Sequence, residues 1–130
     1  MDENARVLVD SSVWNDFFRG NESAANALGS LMKGARIVVC GQIQQEILQG
    51  SRDAKAFEKL QKQMSIWEYE AETPEDFTDA ARTFAALRWK GITIPPSDCL
   101  IAAVAKRLKL PLYAHDPDFD EIPQLMRYRM

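Results

Sequence analysis

Apolar runs too short for anything but strands alternate with helical patterns along this 130-residue chain, and that alternation restricts the fold more than any other feature. Residues 6–9 form a β-branched run ending at Asp10. Residues 37–40 form a second run, stopped by Gly41, and residues 112–114 a third that leads into a turn at 115–118. Short apolar runs bounded by turn or helix signals read as buried strands. Residues 66–69 make a weaker strand or extended segment, and residues 126–129 an edge-strand candidate.

Between the runs lie helices with readable ends. Ser11 or Ser12 can cap a helix that places Val13, Trp14, Phe17 and Phe18 on one face, with Gly20 closing it. A second helix covers residues 24–33 and ends at Gly34. A third carries Ile43, Ile47 and Leu48 inward with Gly50 as its exit, and residues 53–64 form an amphipathic fourth. Thr73-Pro74-Glu75-Asp76 combines a capping threonine, a first-turn proline and acids at the positive end of the helix dipole. That helix runs to about Lys90 and stops at Gly91. Pro95-Pro96-Ser97-Asp98 starts another, through Leu108.

Strands alternating with helices of this length imply βαβ crossovers and a mainly parallel sheet of four to five strands, covered on both faces. The expected fold class is thus α/β, in three α/β/α layers, as one domain over residues 1–130. In such sheets ligands bind beyond the carboxyl ends of the strands. Asp10 and Asp116 fall there directly, Asp98 falls in a helix first turn, and Glu46 sits on the helix after the second strand. Carboxylates gathered in this way repel one another by roughly 3 kcal/mol per pair at about 5 Å and an effective dielectric near 20. A fold that assembles them is expected to hold a cation there.

Composition sets the bounds. Hydrophobic residues at 46% with 27% charged residues describe a globular chain, and the net charge of −3 does not advertise a nucleic-acid binder. Part of that negative charge is the acid cluster itself. Lys55, Lys59 and Lys62, then Arg88 and Lys90, then Lys106, Arg107 and Lys109 read as solvated helix surfaces. No apolar stretch approaches the ~20 residues of a membrane span, and no signal-peptide layout is visible. Cys40 and Cys99 lie in apolar runs and read as buried thiols of a reduced compartment, which places the chain in the cytoplasm.

Taken singly, each acid has an ordinary explanation: Asp10 as a helix cap, Glu46 as a surface residue, Asp98 as a first-turn acid, and Asp116, Asp118 and Asp120 as turn formers around Pro117. The argument rests on their falling at one edge of the fold. His115 is the only histidine, and no CxxC or HxxxH spacing exists, so a His/Cys zinc site is not supported. No glycine-rich phosphate loop is present. All-oxygen ligation favours Mg²⁺ or Mn²⁺. Trp14 is a candidate ring for stacking on a base.

The stretches VLVDSSVWNDFFRG, QQEILQG and IPPSDCLIAAVAKRLKLPLYAHDPDFDEI, in this order and covering most of the chain, resemble the PIN-domain family of metal-dependent ribonucleases, and within it the bacterial VapC-type toxins. The resemblance implies metal ligation by Asp10, Glu46, Asp98 and Asp116, with Asp118 sharing or replacing Asp116, and support from Ser11 or Ser12. It further implies one or two Mg²⁺ or Mn²⁺ ions, hydrolysis of RNA (including structured RNA such as tRNA) by activated water, a homodimer, and silencing by a cognate antitoxin. Where many members carry a hydroxyl before the last acidic turn, this chain has Ala114-His115. Two alternatives are a non-catalytic module whose acidic pocket seats a basic peptide, and a phosphoacceptor signalling domain. The latter would want two adjacent early acids, a phosphoacceptor aspartate ending a central strand and a late lysine, which DSS at 10–12 and Cys40-Gly41 do not supply.

Overall fold

The computed structural model describes residues 5–34 and 36–129. Four short strands, β1 (Val7–Val9), β2 (Ile37–Cys40), β3 (Glu68–Glu70) and β4 (Leu112–Tyr113), form one sheet in the order β3-β2-β1-β4. Every neighbouring pair is parallel, with Leu8 opposite both Val38 and Leu112. Successive strand residues face opposite sides of a sheet, yet Val7, Leu8, Val9 and residues 37–40 are all buried. Both faces are therefore covered, which is the layered α/β arrangement expected from continuous apolar strands.

The two edges are protected differently. β3 exposes Glu68 and Tyr69, and Arg6 pairs with Glu68 and with Glu70, so charge blunts that side. Beside β4 the C-terminal segment makes a single parallel bridge, Leu112 to Arg127, through Leu112 N–H to Met126 O at 2.9 Å and Tyr128 N–H to Leu112 O at 2.8 Å. The edge strand expected at 126–129 is thus reduced to one bridge.

Among the described residues six helices connect the strands: α1 (Ser11–Phe18), α2 (Glu22–Lys33), α3 (Gly41–Leu48), α4 (Ala54–Met64), α5 (Pro74–Trp89) and α6 (Pro96–Leu108). The first helix starts ahead of the two serines, at the aspartate also readable as its cap. Its cap is Asp10, whose carboxylate accepts the Ser12 N–H at 3.1 Å, so Ser11 and Ser12 lie inside the first turn. A carboxylate caps as well as a hydroxyl does, and this cap leaves both serine hydroxyls available for other partners. α5 carries the expected capping box between Thr73 and Asp76.

α6 is buried along its length from Asp98 to Ala105, and Lys106 and Arg107 at its end pair with Asp79 and Asp76 of α5 rather than facing solvent alone. Lys55, Lys59 and Lys62 are exposed, as expected. After β4 the chain makes a 3₁₀ turn, Pro117–Glu121, pinned by the buried ring of Phe119. Cys40 and Cys99 are free, buried thiols.

The strand order has one reversal. The chain runs from β1 outward through β2 to β3, then returns to the far side of β1 as β4. The switch point lies between the carboxyl ends of β1 and β4, the position where parallel sheets open a crevice. Asp10 leaves β1 there, and Asp116 follows β4.

Candidate functional site

Carboxylates from four places in the chain meet at that crevice. Asp98 enters from the first turn of α6, where Pro95 offers no side-chain cap and the positive helix end faces the rim. Asp116 and Asp118 come from the turn after β4, and each offers an oxygen within 4.8 Å of the other and of Asp98. Asp10 and Glu46 lie outside that close trio but near enough for their charges to act on Asp98. Both expected candidates for the last acid, Asp116 and Asp118, are therefore at the site. Asp120 is turned away and pairs with Arg127 and Arg129.

Several contacts hold the acids in place. Ser12 Oγ donates to Asp10 Oδ2 at 2.6 Å and accepts the His115 N–H at 3.0 Å. A hydroxyl from α1 thus supports the turn where the sequence offers Ala114-His115. Ser11 Oγ donates to Glu46 Oε1 at 2.7 Å, and Gln42 Nε2 to Glu46 Oε2 at 3.0 Å, one helical turn away. Asp116 Oδ1 accepts the Asp118 N–H at 2.9 Å and so closes its own turn.

Two oxygens are left over. Asp10 is 4% exposed and Asp98 8%, yet Asp10 Oδ1 and Asp98 Oδ2 have no hydrogen-bond partner among the described residues. Buried polar atoms are nearly always satisfied, and two carboxylate oxygens left free beside other acids are what a cation-binding crevice offers. Burial, followed by the charges of Asp10, Asp116, Glu46 and Asp118, pushes the Asp98 carboxyl up to about 7. Asp10 is raised as well, chiefly by burial, against the Ser12 bonds that lower it. The donor set is all oxygen, which suits a hard divalent cation. The residues fit such an ion.

Trp14 does not play the part suggested for it. Its ring is 2% exposed, in contact with Phe17, Phe18 and Trp67, so no base can stack on it. Phe18, at 44% exposure, is the open ring of that group. A groove of about 840 Å³ lies away from the acid cluster, between α1, α4 and the segment that joins α3 to α4. Phe17, Phe18 and Leu60 give it an apolar floor, and Arg52, Lys55 and Lys59 a basic rim.

Sequence reasoning missed Gln42, Asp16 and Glu72. The i, i+4 spacing of Gln42 and Glu46 was a readable signal for the first. Asp16 faces His115 Nδ1, and Glu72 reaches α3 from the loop before α5; neither contact has a local signature.

A parallel sheet with acids from four segments at its switch point defines a class of candidate divalent-cation sites. The PIN domain family profile matches residues 7–125, and the chain belongs to that family. It is similar to VapC ribonuclease Mb1587 of Mycobacterium bovis and to ribonuclease VapC11 of Mycobacterium tuberculosis. Each is 34% identical over 124 residues, spanning 92% of both chains. Its fold is similar to VapBC2 from Rickettsia felis bound to a promoter DNA fragment (TM-score 0.80, 20% identity, 95% of this chain and 98% of that one). FitAcB from Neisseria gonorrhoeae gives a TM-score of 0.77 at 18% identity, over 94% of this chain and 96% of that one.

Proposed function

We propose that this chain is a Mg²⁺- or Mn²⁺-dependent endoribonuclease that hydrolyses RNA phosphodiester bonds and is the toxin of a toxin–antitoxin pair. The observation that carries this reading is the buried, unpartnered oxygen of Asp98, which lies with Asp116 and Asp118 in one close cluster and beside Asp10, whose buried Oδ1 is likewise unpartnered. The ribonuclease relatives at 34% identity support the activity, and the VapBC structures support a protein partner.

Asp10, Asp98 and Asp116 would hold the cation, with Asp118 and Glu46 completing the set directly or through water. When bound, such an ion supplies Lewis acidity, acidifying the attacking water and offsetting charge that develops on the phosphate. The side chains set the stage for that chemistry. Ser12 fixes Asp10 by its Oδ2 so that Oδ1 stays free. Ser11 and Gln42 take one oxygen each of Glu46. With both serine hydroxyls committed to carboxylates, water rather than a side chain is the nucleophile of this proposal.

The α1–α4 groove, apolar below and basic at its rim, suits an acidic amphipathic segment, and we place the antitoxin there. The reading also carries a homodimer and a cytoplasmic site of action. No helix among the described residues is long and apolar enough to cross a membrane.

The decisive experiment incubates RNA with purified protein in Mg²⁺ or Mn²⁺ against EDTA, beside Asp98→Asn. Cleavage that EDTA stops and Asp98→Asn abolishes is expected. Cleavage indifferent to both overturns the proposal.

A further inference from the structure

α3 begins with an anomaly. Its N-cap is Cys40, which makes no side-chain capping bond, although the helix carries Glu46 to the candidate site and its first N–H groups need acceptors. Those acceptors come from thirty residues further along the chain. Glu72, half-buried in the loop between β3 and α5, accepts the Gly41 N–H on Oε1 at 3.1 Å and the Gln42 N–H on Oε2 at 2.7 Å. Its negative charge sits at the positive end of the helix dipole. The approach is close enough that a Cβ on Gly41 would stand 2.8 Å from Glu72 Oε1 and 2.8 Å from the Tyr69 hydroxyl. Glycine at the helix start is what lets the carboxylate in.

The second residue so anchored is Gln42, and its side chain donates to Glu46 Oε2. Ser11 holds the other oxygen. We propose that Glu72 is a positioning residue for the acidic site: by pinning Gly41 and Gln42 it sets the rotation of α3, and through Gln42 it aims the Glu46 carboxylate at Asp10 and Asp98. This inference rests on the cation-dependent reading given above. A supporting group that orients a ligand in this manner changes cation affinity by about 10- to 100-fold when removed.

A plain cap would stabilise α3 without touching the site, so the test must separate the two. Mn²⁺ binding to wild type, Glu72→Ala, Glu72→Gln and Asp53→Ala is measured by calorimetry, with no RNA present. Asp53 caps α4 through the Ala56 N–H at 2.8 Å and has no link to Glu46, so Asp53→Ala reports the effect of losing a cap alone. Glu72→Ala is expected to weaken Mn²⁺ binding about tenfold. Glu72→Gln keeps one acceptor oxygen and should recover part of the loss, and Asp53→Ala should bind as wild type does. In a Glu46→Gln background, Glu72→Ala should add nothing, because its effect passes through that carboxylate.

Equal weakening by Asp53→Ala, or a full effect of Glu72→Ala without Glu46, reduces Glu72 to a cap and overturns the inference. Wild-type binding that Glu72→Ala and Glu72→Gln leave unchanged overturns it too, with the cation-dependent reading intact. A wild type that binds no Mn²⁺ removes that reading, and the inference with it.

Discussion

Ser12 and His115 are joined across the switch point: the Ser12 hydroxyl accepts the His115 backbone N–H at 3.0 Å while donating its own proton to Asp10 at 2.6 Å. One oxygen atom therefore ties the exit of β1 to the turn after β4, from which Asp116 and Asp118 project. Together with the Asp10 N–H to Tyr113 O bond at 2.8 Å, it ties the first acid to the segment that carries the last.

Ser12→Ala leaves the His115 N–H without its acceptor and removes the hydroxyl bond to Asp10. Losing a partner of this type costs about 1–3 kcal/mol. Thermal unfolding in EDTA is expected to show that loss. Added Mn²⁺ should restore less stability than in wild type, because one of the ties between the two halves of the site is lost. Unchanged melting in EDTA would show that the bond contributes nothing.

Asp98 sets the pH dependence of the cation-free protein. Its folded carboxyl titrates at about 7, against the ordinary 3.8 expected when unfolded. Below pH 4 both states are protonated and no penalty exists. Between about 4 and 7 the folded state holds a proton that the unfolded state has released, so stability falls as pH rises. Above 7 the penalty is complete. The distance from 3.8 to about 7 sets an upper limit of about 4 kcal/mol on that penalty. Chemical denaturation in EDTA from pH 4 to 8 should show wild type losing stability relative to Asp98→Asn, with the two curves converging at the acid end. Cation binding runs the other way and should tighten as pH rises through 7, because the ion displaces that proton.

A second buried carboxylate behaves oppositely. Burial alone would raise Asp76, but the Arg107 guanidinium at 2.9 Å and the Thr73 N–H and hydroxyl outweigh it and hold the carboxyl below its ordinary value. Its stabilisation is present above pH 4 and disappears only as pH falls below that. Asp76→Ala loses the capping box of α5 and the tie to α6, a cost of about 2 kcal/mol. Urea unfolding at pH 7 should show it, with Mn²⁺ affinity unchanged since Asp76 lies away from the acid cluster.

The legible parts of this molecule were those where local chemistry and tertiary need coincide. Residues 37–40 read as a strand because an apolar run buried on both faces has no polar alternation to confuse it. Thr73-Pro74-Glu75-Asp76 read as a helix start because all its cap bonds are within four residues. The acids were legible as a set, since a parallel sheet brings strand ends to one rim whatever lies between. The cap of α1 stayed open between Asp10, Ser11 and Ser12 because all three offer an oxygen acceptor, and the structure uses Asp10. Trp14 was misjudged because an aromatic stripe at helical spacing does not say which ring faces inward. Glu72 was invisible: its partners are thirty residues away, and the only hint was a helix starting at Cys40-Gly41 with no capping side chain.

The last acid can be resolved by charge rather than by activity. Asp116 and Asp118 both lie within 4.8 Å of Asp98, but they are not equivalent. Asp116 spends Oδ1 on the Asp118 N–H, which fixes its carboxylate, whereas Asp118 has no such internal bond among the described contacts. Of the two, Asp116 contributes more to the raised Asp98 carboxyl. Asp116→Asn keeps an oxygen to accept that N–H, so the turn should survive while the charge is lost. Carbon-detected NMR titration of the Asp98 carboxyl in cation-free protein should show a larger downward move in Asp116→Asn than in Asp118→Asn. The same order is expected for weakened Mn²⁺ binding, because the charge that most opposes ionisation of Asp98 is also the one an ion between them most relieves. A reversed order in both measurements would make Asp118 the principal last ligand and leave Asp116 as the turn's own cap.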